Sequence, residues 1–158
     1  MAMRRSLLLA FVLVLALPVA ALADKGKRGD GTLEIRDARG KFELNVNGSL
    51  IARINKGKVR LRVGDDEAVT IKGRRLRHRK LEHGADLYVG KRIRVTIVDT
   101  RFRMRIVGVG INMSAVARGR AVLDGSDTAA DVGEYSLNGG EWESIPLERT
   151  AFRLVSEN

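Results

Sequence analysis

The sequence predicts an all-β fold, an antiparallel β-sandwich or rolled barrel of about ten short strands. Three observations predict it. Apolar and polar residues alternate in run after run, the period of a half-buried strand. Clusters of Gly, Asn and Asp, the residues that accept turn conformations, separate these runs. No stretch beyond the N-terminus carries the apolar stripe of an amphipathic helix.

The N-terminus has the layout of a secretory signal peptide. Arg4 and Arg5 precede an unbroken apolar run over residues 7–17, then Pro18 and the small-residue pattern Ala21-Leu22-Ala23, with cleavage expected before Asp24. As a retained anchor, the segment 7–23 is short for a bilayer span of about 20 residues, and Pro18 interrupts it. The expected location is secreted, periplasmic or cell-surface. The expected organisation is a signal peptide over 1–23, a flexible linker over 24–31 and a single all-β domain over 32–158. The linker contains Arg28-Gly29-Asp30, an integrin-ligand tripeptide that reads as chance in a charged segment with no other adhesin feature.

Alternating runs follow at 32–36, 41–46, 50–54, 59–63 and 69–72, divided by Asp37–Gly40, Asn47-Gly48, Asn55-Lys56-Gly57 and Gly64-Asp65-Asp66. Asn47-Gly48 is the strongest short hairpin signal. A two-residue turn there sets Leu44 opposite Ile51 and leaves Leu50, Ala52 and Ile54 on the other face, so either the loop is longer or this strand is buried on both sides. Two arginine-laddered strands come next. Ile93, Val95 and Ile97 alternate with Arg92, Arg94 and Thr96; after Asp99-Thr100, Phe102, Met104 and Ile106 alternate with Arg101, Arg103 and Arg105. The apolar parity flips at Ile106-Val107, which predicts a β-bulge or a strand changing sheets, with Gly108 and Gly110 permitting it. Residues 114–123 read as a strand or one helical turn, and 124–133 as a loop. Residues 134–137 and 141–145 form a hairpin about Asn138-Gly139-Gly140, and 151–155 a last strand with Phe152 and Leu154 inward. Segments 58–65, 92–99 and 101–108 look alike, but their offsets of 34 and 9 define no solenoid repeat.

Charge is unevenly divided. Residues 24–120 hold 25 Lys and Arg against 11 Asp and Glu, a formal +14; residues 121–158 hold 2 against 8, a formal −6. The expected anion-binding residues are Arg74, Arg75, Arg77, Arg79 and Lys80 in the densest cluster, with Arg92, Arg94, Arg101, Arg103 and Arg105 on the laddered strands. Arg60 and Arg62 join the same outer face. Like charges on neighbouring strands disfavour each other, so such rows imply either a polyanion partner or neutralisation by Glu34, Glu43, Glu134, Glu141 and Glu143 on adjacent strands.

Other chemistries find little support. The chain has no cysteine, which removes thiol nucleophiles, disulfides and thiolate metal sites. His78 and His83 sit in a charged stretch at a spacing poor for a metal, and no metal or cofactor is expected. Asp124, Asp127 and Asp131 match no calcium loop and read as turn formers. Gly108 and Gly110 lack the following helix of a dinucleotide site. The basic cluster has no interleaved aromatics, so nucleic acid is disfavoured as a partner. Asp65, Asp66 and Glu67 are adjacent in a turn, which is not the geometry of a hydrolase pair.

The expected function is that of an exported, non-enzymatic protein whose basic sheet face contacts an anionic cell-envelope polymer or lipid headgroups. The alternative is a self-associating structural protein, a homo-oligomer in which the acidic C-terminal hairpin docks on a neighbour's basic face. An envelope hydrolase is the third reading.

Overall fold

The computed structural model describes residues 29–128 and 131–156. The signal-peptide expectation, and all of the linker before Gly29, lie outside them. The described chain is all-β and antiparallel. Its strands are β1 (Gly31–Val63), β2 (Val69–Lys80), β3 (Asp86–Gly125), β4 (Glu134–Leu137), β5 (Glu143–Ser144) and β6 (Thr150–Leu154), with 3-10 turns at Asp66–Ala68 and Glu82–Gly84. No helix among the described residues is long and apolar enough to cross a membrane.

The short strands of the sequence reading merge into long ones. β1 has 33 residues and β3 has 40, against about 5–6 in a usual strand. Asn47-Gly48 does not reverse the chain. Leu44, Val46, Leu50, Ala52 and Ile54 are all buried and all even-numbered, so the alternation runs straight through it. Asn47 has strand partners on both sides, Arg101 and Arg118. The expected hairpin does not form, and neither a longer loop nor two-sided burial is needed: the strand continues with one face buried. Asp99-Thr100 likewise makes a bulge and no reversal. Pairing steps from Leu50↔Ile97 to Gly48↔Thr100, and Asp99 takes φ 38 with its N–H on Ser49 Oγ at 3.0 Å. The extra residue moves the buried parity from 93, 95 and 97 to 102, 104 and 106. The second parity change falls between Ile106 and Ile111, where Gly110 takes φ 60.

β2 and β3 form a hairpin from Lys80↔Asp86 to Val69↔Ile97, and the same edge of β3 then pairs with β1 from Val63↔Phe102 to Gly40↔Gly125. Residues 40–80 and 86–125 are therefore the two arms of one ribbon. The ribbon also pairs with itself: the other edges of β1 and β3 meet from Gly31↔Ala117 to Leu61↔Asp86. Ile106 has Phe42 on one side and Val59 on the other, so the ribbon comes back alongside itself after 17 residues of β1. Across the middle, His78, Tyr88, Val59, Ile106, Phe42, Leu123 and Thr150 are successive neighbours. Val59, Ile106, Phe42 and Leu123 in this row are 0% exposed, and each such side chain contributes about 1.5–3 kcal/mol on leaving water.

One face of one sheet thus supplies the core, and the sheet curls over that face. It stays open, with β2 at one edge and β5 and β6 towards the other. The pairings draw neither a closed barrel nor two separate sheets; the expected class holds as all-β and antiparallel. Within β1, positive φ occurs at Asp37, Gly40 and Gly48, and Gly57 follows Gly40 by the 17 residues of one winding. Gly125, Gly40, Gly108, Gly57 and Gly90 stand side by side across the sheet at one corner.

The C-terminal elements follow the sequence reading more closely. Residues 114–123 are strand, and β4 and β5 form the expected hairpin with Tyr135↔Glu143 paired. β4 lies on residues 33–36 of β1, and β6 pairs with residues 119–123 with Leu154 buried.

Candidate anion-binding face

Alternation along β1 and β3 sends one set of side chains outward, and the two registers decide which of them meet. Arg62, Arg103, Asn45, Arg120 and Arg153 are successive neighbours in one outward row. Two residues further along, Arg101, Asn47 and Arg118 form the next; on the other side lie Arg60, Arg105 and Glu43. Three concavities of about 460, 330 and 530 Å³ share Asn45 as a lining residue. Asn45 is therefore the centre of the face, an amide that both donates and accepts among guanidinium groups that only donate.

The face carries little neutralising charge. Glu43 accepts from Arg149 Nη2 at 3.0 Å and lies 3.4 Å from Arg105 Nε. Arg118 lies 3.6 Å from Asp30, whose side chain is 10% exposed. That contact engages the acidic residue of the linker tripeptide, as a chance tripeptide allows. Among the described residues, Arg60, Arg62, Arg101, Arg103, Arg120 and Arg153 make no ion pair. Of the five glutamates expected to neutralise the rows, Glu43 alone pairs with a described basic residue.

The acidic C-terminal segment is turned to other contacts. Tyr135 donates its phenol proton to Glu143 at 2.8 Å. Burial first, and then the Glu143 carboxylate, push the Tyr135 phenol up to about 12. Arg36 stacks over the Trp142 ring at 3.7 Å. Asp124 pairs with Lys41 at 2.9 Å, and Asp131 accepts from the Gly133 N–H, both ordinary surface and turn contacts. The segment adds Arg149 and Arg153 to the face rather than covering it.

The residues expected to bind anions do not form one site. Arg101, Arg103 and Arg105 lie in the face. Arg94 stands between Lys72 and Arg53, in a separate row. Arg92 takes φ 50 just after the glycine corner. Arg74, Arg75, Arg77, Arg79 and Lys80 run along edge strand β2, where Arg75 and Arg77 line a different concavity. His78, near the tip of the β2–β3 hairpin, contacts Asp86 Oδ1 at 2.6 Å and stacks on Tyr88 with ring centroids 4.6 Å apart. Burial, then the charge of Asp86, raises the Tyr88 phenol. Asp65 caps the Glu67 N–H in its 3-10 turn.

Sequence reasoning missed Asn45, Arg118, Arg120 and Arg153. Arg118 and Arg120 show the same two-residue spacing as Arg101, Arg103 and Arg105. What was not visible is that residues 117–125 pair with 40–48 and so continue the same rows.

No protein-family model, curated protein or solved structure matches this chain.

Proposed function

We propose that the protein is an exported, non-enzymatic binder of an anionic cell-envelope polymer, which it holds on the arginine face about Asn45. The observation that carries this reading is the row Arg62, Arg103, Asn45, Arg120, Arg153, in which described cations adjoin one another without a carboxylate partner. Each adjacent like-charged pair disfavours the fold by about a few tenths of a kcal/mol, and an interleaved anion reverses that sign. Guanidinium groups present planar forks that match carboxylate, sulfate or phosphate in two-point contacts. Separate charges spread over several strands suit a chain of many anions better than one headgroup. On this reading the curled sheet is a roll whose outer wall is the binding surface.

Retention of the purified protein on an immobilised sulfated polysaccharide across a salt series tests it. Engagement of six arginines gives a slope of log affinity against log salt of about −4 to −5. Passage through the column at low salt would sink the proposal.

A further inference from the structure

Beside the arginine face, at the corner where Gly57 lies between Gly90 and Gly108, is a concavity of about 620 Å³ that shares no lining residue with the other three. Its floor is apolar, made by Leu76, Val89 and Val107 with the backbone of Gly57 and Gly90. Its rim is wholly cationic: Lys56, Lys58, Arg75, Arg77 and Lys91. Among the described residues none of these five makes an ion pair. Two features show that the rim is gathered. Lys56 stands directly opposite Lys91 in the ladder, an arrangement that repulsion disfavours. Arg75 is held at φ 50 in the bulge where the register of β2 slips between Arg74 and Arg77. A non-glycine residue in left-handed backbone is strained, and bulges re-aim side chains.

We propose that this groove seats one anionic phospholipid at a bilayer surface, its phosphate on Lys56, Lys91 and Arg75 and the start of its acyl chains on Leu76, Val89 and Val107. The combination selects the ligand. A free anion leaves the apolar floor unused, a neutral lipid leaves the rim unused, and an evenly charged polymer matches the rim but not the floor. The inference is independent of the polymer reading.

The test is sedimentation of the protein with vesicles of phosphatidylglycerol in phosphatidylcholine, against phosphatidylcholine alone. Each cation at an anionic surface is worth about fivefold in affinity, so K56Q/R75Q/K91Q loses about a hundredfold. R62Q/R103Q/R120Q, which removes the same charge from the neighbouring arginine rows, loses less than about tenfold. V89T/V107T keeps every charge and the side-chain shape, and also loses affinity. Equal losses in the two charge variants, unchanged binding of V89T/V107T, or no binding of the parent protein would overturn the proposal. So would competition by soluble glycerol phosphate at the concentration of the vesicle lipid. Polymer retention of the same variants, measured in parallel, separates failure of this groove from failure of the arginine face.

Discussion

Gly57 and Gly108 face each other across β1 and β3, and neither position has room for a side chain. A Cβ on Gly57 would lie 2.4 Å from the Val107 carbonyl oxygen and 2.9 Å from Gly108 Cα; one on Gly108 would lie 2.6 Å from the Lys56 carbonyl oxygen. Both strands are hydrogen-bonded on both edges here, so neither can retreat from a new methyl group without breaking its other ladder. Gly57→Ala should therefore lower stability by about 2 kcal/mol or more. Gly64→Ala, whose nearest neighbour would be 3.6 Å away, should stay within about 0.5 kcal/mol. Urea unfolding midpoints of the two variants check this, and similar midpoints would mean that the corner is loose.

Tyr135 and Glu143 predict an alkaline limit. The Tyr135 phenol is pushed from an ordinary value near 10 up to about 12, by burial first and by the hydrogen bond to Glu143 second. The folded state thus favours the neutral phenol. Its contribution to stability is fully present below pH 10 and is lost as pH rises from about 10 to about 12, because the unfolded chain releases this proton first. The stability difference between the parent protein and Tyr135→Phe should shrink over that window and hold steady below it. Phenolate absorbance should show both tyrosines ionising above pH 10, since Tyr88 is raised as well. A tyrosine titrating at the ordinary midpoint in the folded protein would contradict this.

Side-chain alternation was legible in the sequence, and with it the all-β class, the outward arginines and the inward Phe102, Met104 and Ile106. Strand ends were not. Asn47-Gly48 and Asp99-Thr100 have the residue chemistry of turns, and Gly48 and Asp99 do take positive φ, but inside continuous strands. Only parity tells them apart: it is kept through Gly48, and it shifts by one at Asp99 without a change of direction. The site was half legible for the same reason. Arg101, Arg103 and Arg105 could be read along one strand, but their neighbours Asn45 and Arg62 depend on two simultaneous registers, and Arg120 on a third pass of the ribbon.

The arginine face should trade stability for binding. In R62Q/R103Q/R120Q the contacts Arg62/Arg103 and Arg120/Arg153 no longer oppose like charges, so the unfolding free energy from urea titration should rise by about a few tenths of a kcal/mol for each pair. The salt slope on the polyanion column should fall in magnitude by about 2–3. Neutralising Arg74, Arg77 and Arg79 on β2 should change that slope by less than about 1. A larger loss from the β2 variant would move the polymer site to the edge strand.

Asn45→Asp separates the two roles of that centre most sharply, because it changes charge and almost nothing else. Arg103 and Arg120 flank Asn45 directly, with Arg62 and Arg153 beyond them. A carboxylate there gains solvent-exposed partners worth about 0.2–1 kcal/mol each, so the protein should become more stable by about 1 kcal/mol. The same carboxylate occupies the guanidinium donors that the polymer needs and repels it, so retention at low salt should drop sharply. Asn45→Ser, which adds no charge, should leave both properties near those of the parent. Gained stability with unchanged retention would show that the polymer does not lie across this row. Lost retention without gained stability would show that the arginines are held apart from Asn45 and meet only on the ligand.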